Sequence, residues 1–525
     1  MSHRLLVRGG LVVDGTGRAA RPADVLIEGD TIVAIGAPAH HGNDATVIEA
    51  GGAVVAPGFI DLHTHADHSI LAFPSADSAL RQGVTTIAVG NCGGGVAPIS
   101  PEHDVRPVAF ASRPEWGQPT WARFPEYLDH LDGLGVNVAA MVPHGALRNA
   151  VMGIDPRPAT EAELATMREM LKEALAAGAV GMSTGLQYRP GCWATEAEIR
   201  TLVESVGERG GIYATHMRDR SKHYLAAIDE AVRATVDTGA HLQLSHVVAR
   251  PNAPADEIDR AVERMWTVAD GRFGVDTFPE PWGPGLLVDL FPTELMDGDT
   301  ARVLARLADP TTRRAMEAYI DAESSFLARI AGYDEIFLSW VPDRPDLTGV
   351  SLGSVGERVG AFCCDVLAEA GGRLREIGIR HVYADDGPLS AVIAFPFCSV
   401  ASDGIVTSGE DMDCPLPWSA STYGFTARLL ETYVRDRRLL TVEEAVRRLT
   451  SLPAAALGLE DRGVLATGKR ADLVIFDPDR IHDRSEPTAM ARHPLGIDRV
   501  VVNGVVAVEA EGLTHTLAGR VLRSP

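Results

Sequence analysis

Cysteine is scarce in this sequence, and none of its six cysteines forms a Cys-x-x-Cys pair. In a chain of 525 residues this is not the pattern of a disulfide framework, so we expect a reducing, cytoplasmic compartment. Basic residues are also few, 48 against 71 acidic ones, and the formal net charge is −23. Nucleic acids and anionic membrane surfaces need clustered Lys and Arg, so neither is an expected partner.

Long apolar runs are missing as well, because no stretch of 18 apolar residues occurs. A membrane-spanning helix is therefore not expected. The first residues, MSHRLLVRGGLVVDG, predict a strand and a glycine turn rather than a cleavable leader peptide. Apolar residues still make up 46% of the chain, which is enough for a sizeable core. The length favours one large domain with a smaller one.

The distribution of strand-like segments predicts the domain organisation. Short β-rich pieces fill both ends of the chain, so residues 1–56 and 460–525 are expected to pair into one small β-sandwich domain. Residues 57–459 alternate apolar, β-branched runs with helical-period segments such as 159–178 and 195–210, each of which starts near a capping Thr. About eight such units predict an α/β fold, a closed TIM-like (β/α)8 barrel. The expected barrel strands are 56–63, 84–91, 136–144, 179–186, 211–216, 241–247, 273–278 and 397–404.

A stretch that is richer in Pro, Asp and Arg interrupts this alternation between the seventh and eighth expected strands, at residues 284–350. We expect it to form an inserted, lid-like subdomain within the barrel.

Candidate metal ligands stand at the ends of the expected strands. His63 and His65 follow the first strand, and side chains at i and i+2 point to the same face, so both imidazoles can bind one divalent ion. Active sites of (β/α)8 barrels lie at this carboxyl edge. A single strand-end His is more often structural, but the combination of six donors predicts a metal site. The other four are Cys92, His216, His246 and Asp403.

Several of these segments resemble a known family. The segment "PGFIDLHTHAD" resembles the first metal motif of the amidohydrolase superfamily. The segments "GNCG", "GLQYRPG", "YATHMRDR", "LSHVV" and "ASDG" resemble the N-acyl-D-amino-acid deacylase, or D-aminoacylase, family. The likeness covers nearly the whole chain and is weakest from 284 to 350. It implies a metal-dependent barrel with a small β-sandwich and one or two Zn²⁺ ions.

The resemblance also implies roles for the six donors. Cys92, His216 and His246 map onto a tight metal site, His63 and His65 onto a second one, and Asp403 onto the acid/base. Cys92 then replaces the carboxylated lysine of many relatives, which fits the absence of a Lys at the end of the fourth expected strand.

The implied chemistry is metal-assisted amide hydrolysis. A thiolate with imidazoles suits Zn²⁺, which lowers the pKa of bound water to roughly 7. Asp403 is expected to take a proton from water and deliver it to the leaving nitrogen. The predicted substrate is a small molecule, an N-acyl-D-amino acid or a close analogue. The alternative is a cyclic amide or another substrate of the same superfamily, and a homo-oligomer is left open.

The expected substrate pocket departs from the family pattern. Val248 stands where members commonly have a Lys that binds the substrate carboxylate, and Glu280 stands in a Phe-Pro-Glu-Pro run where they often have aromatic-Pro-Tyr-Thr. A positive charge could instead come from Arg218, Arg250 or Arg189, although each could equally be a surface arginine. Tyr188, in "GLQYRPG", matches the family and is expected to hydrogen-bond the scissile group, unless it is a packed loop aromatic.

Other functions and roles are less favoured. Gly181-Met-Ser183-Thr-Gly185 matches G-x-S-x-G, but a nucleophile elbow needs a helix directly after the serine, and a Pro-Gly pair follows soon instead. A non-catalytic scaffold is disfavoured because all six donor positions are filled. His144, at the end of the third strand, could line the pocket or be structural. The acidic loop at 409–413 is expected to be solvated surface.

Overall fold

The structure is a computed structural model of the chain. It describes residues 3–36, 45–100, 116–117, 119–251, 253–268, 271–296, 299–324, 327–328, 332–409, 419–485, 490–510 and 512–524. The acidic loop, apart from Gly409, lies outside the described residues. None of the helices within these ranges has both the length and the hydrophobicity needed to cross a membrane.

The centre of the molecule is a parallel barrel. Its strands follow one another in chain order around the sheet, and the eighth lies beside the seventh. Between the first and eighth strands, Thr64 bridges to Gly404, and the backbone N–H of His65 donates to the Gly404 carbonyl at 2.7 Å. These contacts close the barrel, so the predicted (β/α)8 fold is confirmed. The strands are Phe59–Asp61, Val84–Val89, Asn137–Pro143, Gly181–Gly185, Ile212–His216, His241–Leu244, Phe273–Thr277 and Cys398–Val400.

Helices surround the barrel and bury one face each against it. In Glu161–Ala176, Met167 and Leu171 are fully buried, as their spacing of four residues on one helix face requires. Thr160 and Thr195 cap two helices by accepting hydrogen bonds from the backbone N–H three residues later, as the sequence predicts. The helices are Ser69–Ala72, Asp77–Leu80, Phe124–Asp129, His144–Met152, Glu161–Ala176, Glu196–Gly207, Tyr224–Thr235, Ala255–Val268, Asp386–Ala394, Ser421–Arg428, Val442–Leu449 and Ser451–Ala456, with a π-helix at Leu429–Asp436.

The two chain ends share a second sheet. Val54–Pro57 pairs antiparallel with Leu473–Phe476, which joins the N-terminal strands to the C-terminal ones. Buried Asn137 of the barrel binds this sheet, because its side-chain amide donates to Asp472 at 3.2 Å and accepts from Asn503 at 2.7 Å. The boundaries of this domain stay a prediction. Its strands are Arg4–Val12, Arg21–Glu28, Thr31–Gly36, Thr46–Glu49, Val54–Pro57, Leu473–Phe476, Ile497–Val502, Val505–Glu509 and Gly512–Leu513, while Val521–Leu522 pairs with the third barrel strand.

An inserted unit lies between the seventh and eighth barrel strands. Its antiparallel sheet has Gly378–Val382 in the centre, flanked by Trp282–Leu286 and Ile336–Trp340. Its helices bury a separate apolar cluster that includes Leu290, Ile320 and Ile379. These elements span 282–382, a longer range than the predicted 284–350, and the first strand passes the mouth of the barrel. The helices are Thr300–Ala308, Pro310–Asp321 and Val359–Ala370.

Candidate metal centre

Nitrogen and sulfur donors meet at the carboxyl end of the barrel. Cys92 Sγ lies 3.2 Å from His63 Nε2 and 3.2 Å from His246 Nε2. A second group joins it through His63, because His65 Nε2 lies 3.0 Å from Asp403 Oδ1 and His63 Nε2 lies 3.6 Å from the same oxygen. Within each group, all ligand atoms lie within 4.8 Å of one another. A buried thiol with imidazoles on one side and a carboxylate on the other fits a borderline divalent cation such as zinc.

His216 reaches this centre from the fifth strand. Its Nδ1 lies 2.9 Å from His246 Nε2, while its Nε2 lies 2.9 Å from the side-chain oxygen of Gln187. An Nε2–H that donates to Gln187 leaves the Nδ1 lone pair turned towards the donor group. The resemblance divides the ligands into Cys92, His216 and His246 against His63 and His65. The structure brings all of them together but places His63 within reach of both groups.

The backbone at this centre adopts conformations that are uncommon for residues with side chains. Cys92, His246 and Asp403 have φ values of 52°, 34° and 48°. Non-glycine residues in this region are infrequent and concentrate at functional sites, where the surrounding structure holds them. Each of the three lies two or three residues beyond the end of its barrel strand and places its side chain in a donor group.

The fourth barrel strand holds the Cys92 turn in place. Ser183 Oγ donates to the Gly90 carbonyl and accepts from the Gly93 N–H at 2.9 Å. A Cβ on Gly185 would overlap the Cys92 carbonyl oxygen, so only glycine permits this approach. Ser183 is fully buried and engaged in these bonds, and a turn rather than a helix follows its strand. Its geometry is that of a structural serine and not of a nucleophile elbow.

Electrostatics favour the ligand forms of Cys92, His216 and His246. Burial opposes ionisation of the Cys92 thiol, but His63 and His65 outweigh it and lower the pKa of Cys92. Burial and the nearby Arg220 depress the pKa of His216 and that of His246 well below the usual value. Burial also disfavours charge on His65, yet Asp403 and Cys92 raise its pKa to about 9. The Cys92 thiolate and the neutral imidazoles of His216 and His246 present lone pairs to a cation, whereas His65 must release a proton before it can bind one.

Asp276, at the end of the seventh strand, supports the His63 imidazole and the backbone of His246. Its Oδ1 lies 3.2 Å from His63 Nδ1 and accepts the His246 backbone N–H at 2.7 Å, while its Oδ2 accepts from Gln243 at 2.9 Å. A carboxylate on Nδ1 fixes the His63 tautomer that leaves Nε2 for a metal. Asp276 is not among the ligands predicted from the sequence, although its place at a strand end was a usable signal.

Replacement of Asp276 by Asn should weaken metal binding, because the carboxylate that orients His63 is lost. We expect the metal affinity to fall by about 10- to 100-fold, measured by competition with a chromophoric chelator. Asp259→Asn, at an exposed helical position, is the matched control and should leave the affinity unchanged. Equal affinities in the two variants would contradict this supporting role.

The donor group opens onto a cavity of about 470 Å³, part of which is open to solvent. The inserted unit forms the opposite wall with Pro284, Leu286 and Asp289. Tyr188 lines the cavity with its ring centroid 4.3 Å from that of His216. The donor residues therefore line one side of the cavity and the inserted unit lines the other. A concave space of this kind is typical of a small-molecule site.

Two buried arginines, Arg220 and Arg250, line the same cavity. Both pack against the ring of Tyr383, which directly follows the central strand of the inserted sheet. The Tyr383 ring centroid lies 4.9 Å from the Arg220 guanidinium carbon and 5.4 Å from that of Arg250. Arg220 also donates to the His246 carbonyl at 2.6 Å, an oxygen that accepts from the Tyr383 hydroxyl as well. Burial and Arg220 lower the pKa of Arg250 to about 10, so Arg250 remains a cation at neutral pH.

The structure sorts the predicted substrate-binding residues. Arg250 and Tyr188 line the cavity. Arg218 does not, because its guanidinium is bound to Glu230 at 2.8 Å and to the Cys192 carbonyl at 2.8 Å. Val248 is buried in the apolar core and is not part of the cavity wall.

His144 lies outside the metal-facing cavity, whereas Arg220 and Tyr383, which were not predicted from the sequence, line it. His144 is fully buried and contacts Glu198 at 2.9 Å, and Arg148 contacts the same carboxylate at 2.6 Å, so its role is structural. Arg220 was missed although it lies in the quoted "YATHMRDR" segment. No sequence motif marked Tyr383, because it is distant in sequence from Arg220 and Arg250, the residues it contacts.

Comparison with known proteins adds independent findings. A family model described as "Amidohydrolase family" matches residues 46–508. The chain is 34% identical to a D-aminoacylase from Alcaligenes xylosoxydans xylosoxydans, over 99% of this chain and 97% of that protein. It is 33% identical to an N-acyl-D-glutamate deacylase from the same organism, over 99% and 96%. Among solved structures, N-acyl-D-glutamate deacylase from Bordetella bronchiseptica in complex with zinc and a phosphonate inhibitor matches with a TM-score of 0.80, 31% identity and full coverage of both chains.

Proposed function

Because the chain belongs to the amidohydrolase family, we propose that it is a zinc-dependent hydrolase that releases a D-amino acid from its N-acyl derivative. The observation that carries this proposal is the convergence of six donors at the carboxyl mouth of the barrel. The relatives support it, since a D-aminoacylase and an N-acyl-D-glutamate deacylase are similar to this chain over nearly their whole length.

The positions of the donors suggest which residues would bind each zinc ion. Cys92, His216 and His246 would hold one ion, and His63 with His65 would hold a second, with His63 close enough to contact both. When bound, zinc lowers the pKa of a water molecule to roughly 7 and polarises the acyl oxygen. Asp276 and Gln187 fix the imidazole orientations that such binding requires.

Asp403 is the proposed acid/base. Burial opposes its ionisation, but His65 and His63 outweigh burial and lower its pKa, so it is a carboxylate at neutral pH. It lines the cavity beside the imidazoles, where it can accept a proton from water and deliver it to the leaving nitrogen. Burial raises the pKa of Tyr188, which therefore stays a phenol and can donate a hydrogen bond to the scissile group.

Arg250 is the proposed partner of the substrate carboxylate, in place of the Lys that Val248 replaces. It is a buried cation at the cavity wall, and Tyr383 and Arg220 pack beside it. A guanidinium can bind a carboxylate through two parallel hydrogen bonds, which a lone ammonium cannot do.

Replacement of Arg250 by Met should therefore raise KM for an N-acyl-D-amino acid by about tenfold or more, because a charge-assisted contact is lost. Steady-state kinetics should show the effect in KM, with a smaller change for the matching amino acid amide, which has no carboxylate. Arg218→Met is the control, since Arg218 is bound to Glu230 outside the cavity. An unchanged KM in Arg250→Met, or an equal rise in Arg218→Met, would contradict the assignment.

The proposed function is tested by metal removal and a substrate panel. Chelation should abolish hydrolysis of N-acetyl-D-leucine, and added Zn²⁺ should restore it, while a serine-directed phosphonate should have no effect. The panel compares N-acyl-D-amino acids, their L-enantiomers and cyclic imides. Preferential hydrolysis of cyclic imides, or zinc-independent turnover, would overturn the proposal.

A further inference from the structure

A second cavity lies beside the metal-facing one and shares Pro284 with it. It is a partly open space of about 630 Å³, which includes open solvent, between the inserted sheet and the start of the helix Ser421–Arg428. Glu280, which departs from the family pattern in the Phe-Pro-Glu-Pro run, lines this cavity and not the metal-facing one. Its lining also contains Trp282, Arg380 and Ser419.

Arg380 is a buried arginine at this cavity. It lies on the central strand of the inserted sheet, opposite Pro284 and Phe337, and its guanidinium carbon lies 5.1 Å from the Trp282 ring centroid and 4.5 Å from that of Phe337. The residue is 6% exposed. Within the described ranges its guanidinium forms no hydrogen bond or ion pair. The two rings orient a buried positive charge that has no carboxylate partner there.

Glu280 supplies an acid at the same cavity. It is 3% exposed and accepts from the Ser421 hydroxyl at 2.8 Å. Arg428 Nε lies 4.0 Å away, but Arg428 is bound more closely to Asp483, at 2.9 Å. Burial raises the pKa of Glu280 to about 7, and Arg428 and Arg380 oppose this rise. Arg380 forms no ion pair with Glu280 among the described residues.

Ser419 adds an unused hydrogen-bonding group. Its hydroxyl is buried and has no hydrogen-bond partner in the part of the chain that the structure describes. A buried polar group without a partner costs free energy, so its position in a cavity wall points to a bound polar ligand. Arg380, Glu280 and Ser419 together offer a cation, an acid and a neutral hydroxyl around one space.

These groups define the charge pattern of the ligand. A guanidinium takes a carboxylate, a carboxylate takes an ammonium, and the Trp282 ring offers an apolar surface. We propose that the second cavity binds a free α-amino acid, with its carboxylate on Arg380 and its ammonium on Glu280. The inference rests on the proposed function only for the choice of a D-amino acid, the amine product of that hydrolysis.

Calorimetric titration of the zinc-loaded protein with D-leucine tests the proposal. The background is the Arg250→Met variant, in which carboxylate binding in the metal-facing cavity is removed. We expect D-leucine to bind in this background and its affinity to fall about tenfold or more when Arg380→Met is added. Arg380→Lys should recover part of the affinity, and circular dichroism with thermal unfolding checks that each variant is folded.

Matched ligands separate the two ends of the amino acid. Without its ammonium, 4-methylpentanoate should bind more weakly than D-leucine to the Arg250→Met protein and should be insensitive to Glu280→Gln. D-leucine should lose affinity in Glu280→Gln, and 3-methylbutylamine should not respond to Arg380→Met. Absence of D-leucine binding in Arg250→Met, or binding that Arg380→Met leaves unchanged, would overturn the proposal.

The outcome is independent of the hydrolase assignment. Arg380-dependent binding of D-leucine in a protein that hydrolyses no N-acyl-D-amino acid would reject the proposed function and support this site. Hydrolysis of N-acyl-D-amino acids without Arg380-dependent binding of D-leucine would support the proposed function and reject this site.

Discussion

Replacement of Asp403 by Asn will lower kcat by about 10²- to 10⁴-fold while bound zinc is retained. The carboxylate is the proposed proton carrier, and an amide cannot accept and return a proton at neutral pH. Asp403 lies 3.0 Å from His65 Nε2 and lines the cavity, whereas the other nearby donors are thiol and imidazole groups. Because the proposed tight site of Cys92, His216 and His246 does not include Asp403, its zinc should remain.

Two measurements on the same preparation decide this prediction. Steady-state hydrolysis of N-acetyl-D-leucine gives kcat, and elemental analysis gives zinc per chain. Asp385→Asn, which makes the same change at an exposed position, is the control and should match the wild-type protein in both. Turnover close to wild type in Asp403→Asn would refute the acid/base role, and loss of zinc in parallel with activity would show that Asp403 is mainly a ligand.

Replacement of Cys92 by Ser will remove zinc and with it the activity. The thiolate is the soft donor of its group, and its sulfur lies 3.2 Å from His63 Nε2 and 3.2 Å from His246 Nε2. Its loss therefore leaves this group without the atom that both imidazoles face. A serine hydroxyl is a poor zinc ligand. We expect zinc affinity to fall by more than about 100-fold, a larger loss than replacing a residue that only orients a ligand.

Cys192→Ser is the matched control for the thiol. Cys192 lies on the short helical turn Gly191–Trp193, outside the metal-facing cavity, so this variant should keep its zinc and its turnover. Excess Zn²⁺ should restore part of the activity of Cys92→Ser, because the imidazoles remain. Wild-type zinc content in Cys92→Ser would contradict the role of Cys92.

The barrel could be predicted from the sequence because its signals are local. Apolar, β-branched runs and capped helical segments determine where strands and helices lie, and all eight barrel strands fall within the predicted segments. The positions of the strand ends also predicted which side chains lie close together, because the carboxyl ends of parallel strands lie at one edge of the barrel. His63, Cys92 and His246 needed no knowledge of distant contacts to be selected.

The remaining cavity residues depend on contacts between distant segments. Tyr383 packs against Arg220 and Arg250, although the whole inserted unit, which has its own core, separates them from it in the chain. No local sequence pattern predicts such a contact. Arg218 and Arg220 are two residues apart in one segment, but only Arg218 has Glu230 within reach. Which arginine faces the cavity therefore depends on packing and not on residue type.

The partition of the ligands also depended on tertiary detail. The closing contacts between the first and eighth strands place His63 beside both Cys92 and Asp403, because the Asp403 N–H donates to the His63 carbonyl at 2.9 Å. A period-two pattern places His63 and His65 on one face but does not say which imidazole lies nearer the thiol.

X-ray absorption at the zinc edge of the purified protein shows whether Cys92 and the imidazoles bind the metal. We expect one zinc–sulfur distance of about 2.3 Å and zinc–nitrogen distances of about 2.0–2.1 Å, with the sulfur contribution lost in Cys92→Ser that has been reloaded with excess Zn²⁺. A zinc environment of oxygen and nitrogen alone in the wild-type protein, or a sulfur signal that survives in Cys92→Ser, would contradict this ligand assignment.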